Sequence, residues 1–68
     1  MTDFVLRRAG EVLTLCARTT RAKMRLARLP QAKEAPSTDR VLLKRDQAKE
    51  ILDVLNFEGY GIEGQELI

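Results

Sequence analysis

Histidine and tryptophan are absent from the 68 residues, cysteine occurs once, proline twice, and only three side chains are aromatic. Each scarcity removes a class of chemistry. Without an imidazole, no side chain ordinarily titrates near neutral pH, so a serine or cysteine nucleophile would lack its usual base. One thiol, Cys16, can neither close an internal disulfide nor complete a Cys/His zinc cluster, which points to a reducing compartment and to no metal. No cofactor is expected, and the chain is not expected to be an enzyme.

No apolar run reaches the ~18–20 residues of a membrane span, and the N-terminal stretch lacks the continuous apolar core of a signal peptide. An Arg-rich start has some character of a mitochondrial presequence, but Asp3 and Glu11 lie within it, and such segments are poor in acids. A cytoplasmic location is therefore expected, that of the host cell if the gene belongs to a phage. Length sets a further bound: a domain this small buries only about 60% of its unfolded surface. Its stability is on the order of 3–10 kcal/mol, too little to hold a strained catalytic cavity.

What is present is charge, unevenly placed. The net +2 conceals a basic first part and an acidic remainder. Residues 1–28 hold seven basic and two acidic side chains, net +5, and residues 29–68 hold five and eight, net −3. Such asymmetry suggests a basic arm for an acidic surface.

Residues 3–29 contain no proline and one glycine, and their apolar positions recur with a helical period. The expectation is a single domain over residues 1–68 of mainly α class. A long N-terminal amphipathic helix (1–29), weakest at Gly10 and at Thr19-Thr20, packs on a shorter C-terminal helix. One stripe of the long helix, Val5, Leu6, Ala9, Val12, Leu13, Cys16, Thr20, Met24 and Ala27, forms its core face. A narrower flank strip holds Phe4, Leu15, Ala22, Leu26 and Leu29.

Pro30 and Pro36 bracket a linker over 30–39, where Ser37, Thr38 or Asp39 can cap the next helix. Two readings stay open for 40–58. Either one helix runs from about 39 to 57, or 40–44 is a short strand and Asp46 caps a helix over 47–57. Under both, Ala48, Ile51, Leu52 and Leu55 pack on the first helix, with Val54 and Phe57 beside them. Three glycines within six residues make 59–68 a turn and a flexible tail, with a second short strand there as the alternative.

The most specific surface feature is an arginine series, Arg18, Arg21, Arg25 and Arg28, at the spacing of one helix face, with Arg7 on the same side. Guanidinium forks suit phosphates and carboxylates equally. Arginine outnumbers lysine six to one in this segment, which solubility alone does not require. Phe4, Leu15, Leu26 and Leu29 form a candidate apolar surface for a partner or for a homodimer. Tyr60 is either an aromatic anchor for a partner or part of a turn closing on the core. Cys16 is expected in the core. The acidic positions Asp46, Glu50 and Asp53 read as a solvated face turned toward the basic helix. Gly59-Tyr60-Gly61 with Gly64 lacks the Lys and Ser/Thr of a phosphate-binding loop.

These features point to a small non-catalytic regulator that acts by stoichiometric binding to a larger protein with an acidic surface. Phages and plasmids encode such proteins as inhibitors of host machinery or as antitoxins. The alternative is a nucleic-acid-binding accessory or transcription-regulatory protein gripping phosphates through Arg18, Arg21, Arg25 and Arg28. No helix-turn-helix or finger pattern surrounds them, and no aromatic follows Phe4 in the segment to stack on bases. A membrane-surface helix is a third, weaker option.

Overall fold

In the computed structural model, which describes residues 2–34 and 39–68, the basic first part is a β-hairpin followed by a short helix. β1 (Phe4–Ala9) and β2 (Val12–Ala17) pair antiparallel from Phe4↔Ala17 to Ala9↔Val12, which leaves Gly10-Glu11 as a two-residue turn. Gly10 alone takes positive φ, +64°, as the first central residue of a type II′ turn does, and that turn's twist matches the strands it joins. The expectation of one long helix over 1–29 in a mainly α protein is thereby corrected: the described residues form two α-helices and a four-stranded mixed sheet.

The difference has a geometric origin. A two-residue turn puts the inward side chains at even positions of β1 (Phe4, Leu6) and odd positions of β2 (Leu13, Leu15, Ala17). Leu6 and Leu13 are then seven residues apart, and Phe4 and Leu15 eleven. Those separations are also about two and three turns of a helix. What decides between them is the cross-strand packing of the inward residues, which spacing along the sequence does not reveal.

The consequence is an inversion of faces. Phe4, Leu15, Ala22, Leu26 and Leu29, expected as a flank strip, are all buried in the core. Of the expected core stripe, Leu6 and Leu13 are buried, whereas Val5 and Cys16 are half-buried, and Ala9, Val12, Thr20, Met24 and Ala27 are exposed.

The helical tendency survives in α1 (Thr20–Leu26), which starts at one of the two expected weak points. Thr19 is its N-cap, its hydroxyl accepting the Ala22 N–H at 3.2 Å. Residues Pro30–Glu34 form a 3-10 turn, and Ser37 and Thr38, considered as caps, lie outside the described residues. β3 (Arg40–Leu43) adds antiparallel to β2, so the split reading of 40–58 is the one the chain adopts. α2 (Arg45–Phe57) begins two residues earlier than expected, with Lys44 at the N-cap and Asp46 inside the first turn. The Gln47 side chain closes that start by accepting the Lys44 N–H at 3.1 Å.

Ala48, Leu52 and Leu55 of α2 are buried as expected, but they join a core built on the sheet, whose inner face supplies Phe4, Leu6, Leu13, Leu15, Val41 and Leu43. Phe57, expected beside that face, is exposed. At the end of α2 the Gly59 N–H donates to Asn56 O and the Tyr60 N–H to Leu55 O, both at 3.1 Å, with Gly59 at φ +91°. This is the Schellman arrangement, which needs a left-handed residue after the cap. It turns the chain back so that β4 (Ile62–Glu63) runs parallel to β1, giving the strand order β3-β2-β1-β4. The tail thus carries a strand and a 3-10 turn, Gln65–Leu67, and Leu67 and Ile68 pack against the core.

The principal extents are 28 × 24 × 16 Å. The smallest accommodates one sheet and one helical layer, since facing layers pack about 10 Å apart. Among the described residues, one face of the sheet has no covering layer, and its outward side chains Arg7, Ala9, Val12, Arg40 and Leu42 are exposed.

Gly64 sits at φ +91°, where an added Cβ would collide with the Leu6 carbonyl oxygen, while Gly10 has open space around it. Gly64→Ala should cost about 1–3 kcal/mol of stability, and Gly10→Ala less, about 1 kcal/mol from its dihedral alone. Urea unfolding checks the order; equal losses would contradict the packing at Gly64.

Candidate functional site

Where the arginines end up is decided by one carboxylate. Asp3 is 4% exposed and is the only buried charged residue among those described. Its Oδ1 accepts from Thr19 Oγ1 at 2.8 Å and Arg21 Nε at 3.2 Å; its Oδ2 accepts from Arg21 Nη2 at 2.9 Å and the Gly61 N–H at 3.1 Å. The Arg21 fork is thus bidentate, the strongest form of this pairing. Arg21 also reaches the Gly59 carbonyl at 3.4 Å and lies 4.6 Å from the centre of the Tyr60 ring. Tyr60 in turn meets Phe4 edge-on, centroids 5.4 Å apart. Of the two readings for Tyr60, the turn closing on the core is therefore the observed arrangement.

These hydrogen bonds favour the ionised carboxyl. The Arg21 guanidinium, then the Gly61 N–H and the Thr19 hydroxyl, hold Asp3 well below its ordinary value of 3.8, against the opposing effect of burial. A second bidentate pair joins α1 to the end of α2: Arg25 Nε and Nη2 donate to Glu58 at 2.7 and 3.2 Å. Arg25 lowers the pKa of Glu58 in the same sense.

The expected arginine series is therefore divided. Arg21 and Arg25 are held by internal ion pairs, and Arg28 lies exposed just past α1. Arg18 leaves the end of β2 before α1 begins. There is no continuous helix face for the four, because the helix that would carry it has only seven residues. The apolar quartet is corrected as well: Phe4, Leu15, Leu26 and Leu29 are core residues and present nothing to a partner or a second copy.

Arg18 and Arg7 do share one surface, the uncovered face of the sheet. Strand register places the outward side chains in rows: Leu42 beside Thr14 beside Arg7, then Arg40 beside Cys16 beside Val5 beside Glu63. Neighbouring strands are ~4.8 Å apart, so Arg40 and Val5 flank Cys16 within about 10 Å. Cys16 is half-buried here, on the outer face, and not in the core as expected.

Arg7 and Arg18 each border two open depressions on this face, of about 510 and 590 Å³. Arg40 and Asp39 close the first; Glu63 and Glu66 border the second. Neither Arg7 nor Arg18 has a carboxylate partner among the described residues. Arg40, Val5, Thr14 and Leu42 were missed as site residues; the alternation in β3 would have found Arg40 and Leu42 once the hairpin was recognised.

The acidic positions Asp46, Glu50 and Asp53 are exposed on α2, on the helical layer and away from this basic face. Among the described residues no group of three or more His, Cys, Asp or Glu side chains could hold a metal ion, and no helix is long and apolar enough to cross a membrane.

Because the folded-state value of Asp3 is depressed, its contribution to stability is present above the unfolded value near 3.8 and is lost as pH falls through the folded one. Asp3→Asn should remove that part of the acid dependence, seen as a shallower decline of unfolding free energy below about pH 4. An unchanged slope would mean that the pair with Arg21 contributes nothing. Thr19→Ala, which removes the α1 cap and one Asp3 donor together, should cost at least about 1 kcal/mol in the same assay.

No protein-family model, no curated protein and no solved structure matches this chain.

Proposed function

We propose that this protein is a non-catalytic regulator that binds a larger protein one-to-one through the open face of its sheet. Arg7, Arg18 and Arg40 engage the partner's carboxylates, and Val5, Thr14 and Leu42 supply the apolar middle of the contact. The observation that carries the reading is the division of the arginines. Arg21 and Arg25 hold the fold together, whereas Arg7 and Arg18 stand without a carboxylate partner, among the described residues, on a face that no helix covers.

Arginine is enriched and lysine depleted at protein interfaces, and the outward residues named on this face include three arginines and no lysine. Exposed arginines add mainly encounter rate and orientation, so specificity rests on their match to the partner's acidic pattern.

Phosphate contact by the same arginines is the second reading, since they lie together on one face. It lacks stacking support: Phe4 and Tyr60 are packed against each other, and Phe57 is on α2. If three phosphates were neutralised, log K would fall with log salt at a slope of about −2 to −3.

The test is capture from the source cell with and without nuclease, comparing the wild type with Arg7→Glu/Arg18→Glu and with Arg28→Glu as a control. One stoichiometric protein should survive nuclease, bind the double variant at least ~10-fold more weakly, a loss of about 1.4 kcal/mol, and bind the control unchanged. Nuclease-sensitive capture with the phosphate salt slope would replace this reading by the second one. Capture indifferent to the double variant would remove the sheet face from both.

A further inference from the structure

A second concave site lies at the opposite end of β1 from Asp3 and uses none of Arg7, Arg18 or Arg40. On the inner face of the sheet, Arg8 stands opposite Leu13, and Leu13 opposite Leu43. β3 passes directly into α2 at this end, which brings Lys44 and Arg45 to the same cleft as Arg8, on the far side of Leu13 from it. The result is a cleft of about 540 Å³ lined by the apolar Leu13 and Leu67, by the exposed Val12 beside the hairpin turn, and by the cations Arg8, Lys44 and Arg45.

Glu11 is the one acidic side chain that lines it, against three cations. None of the three cations makes an ion pair among the described residues. The Arg8 Nε–H is donated to the Gly10 carbonyl at 2.9 Å, which orients the guanidinium and leaves both of its Nη atoms for another acceptor. Three cations facing the single carboxylate of Glu11 leave the cleft with a surplus of positive charge, and an anion seated between them would relieve the remaining repulsion. The volume lies within the range of small-molecule sites, which combine an apolar lining with a few convergent polar groups.

We propose that this cleft binds a small amphipathic anion. Its carboxylate or phosphate head sits among Arg8, Lys44 and Arg45, and its short hydrocarbon body lies on Val12, Leu13 and Leu67. Arg8 also lines the sheet-face depression bordered by Arg7, Arg18 and Arg40, whereas Lys44 and Arg45 line neither depression of that face, so the two sites are tested apart through Lys44 and Arg45.

The experiment is a ¹H–¹⁵N NMR titration of the whole chain with octanoate and octyl phosphate, and with octylammonium and inorganic phosphate as controls. Saturable shifts are expected at residues 8–13, 44–45 and 67 with both amphipathic anions, the tighter one identifying the preferred head group. Octylammonium should leave those signals in place, and inorganic phosphate should bind at least ~10-fold more weakly for lack of the apolar contact. Lys44→Glu/Arg45→Glu should weaken the anions at least ~10-fold, with Arg7→Glu/Arg18→Glu as a control that leaves them unchanged. Shifts confined to the sheet face, equal shifts with octylammonium, or no saturable shift with either anion would overturn the assignment. None of these outcomes depends on whether a protein binds the sheet face.

Discussion

Three separate stretches of chain meet at the Asp3 carboxylate, and the rest of the architecture depends on that meeting. Asp3 enters β1; Thr19 and Arg21 lie at the start of α1; Gly61 leads into β4. The backbone has the same pattern, with the Arg18 N–H donating to the Asp3 carbonyl and the Asp3 and Phe4 N–H groups to the Gly61 carbonyl. A buried charge is tolerable only when it is paired and its remaining lone pairs are satisfied. Here the two oxygens accept four hydrogen bonds, and removing any donor would leave the carboxylate under-satisfied in the interior. In a chain that can bury only one small core, this polar junction closes the last strand onto the sheet where apolar area alone is scarce.

The junction also determines what is left for recognition. By holding Arg21, and with Glu58 holding Arg25, the fold engages the middle of the arginine series in its own ion pairs, with the Arg21 side chain still 60% exposed. Because each residue of an antiparallel strand faces the side opposite to its neighbour's, the remaining basic residues of the hairpin divide between the two faces of the sheet. Arg7 goes outward with Thr14 and Cys16, and Arg8 goes inward with Leu13. The two sites proposed for this protein, one for a macromolecule and one for a small anion, are in this sense one consequence of adjacent arginines on a β-strand.

Charge is segregated in the third dimension as well as along the sequence. The open sheet face is basic, while the outward side of α2 carries Asp46, Glu50 and Asp53. The expectation that these acids turn toward the basic helix rested on two helices side by side. With a sheet in place of the first helix, α2 instead faces the inner strand residues with its apolar side, and its acids point away.

The sequence by itself determined the apolar side of α2, the glycine that ends it, the break around Pro30 and the separation of charge, because each depends on residues within a few positions of one another. The same local evidence left β3 open between strand and helix, and pairing with β2 resolved it. What only the tertiary structure decided was the hairpin, and with it the functional surfaces. Apolar residues seven and eleven apart satisfy a helix and a two-residue hairpin equally, and the choice falls to cross-strand packing of Phe4, Leu6, Leu13 and Leu15 under both helices. Which arginines are free was likewise beyond local reading, since the partners of Arg21 and Arg25 lie 18 and 33 residues away. Contacts at that separation exist only once the chain has closed on itself.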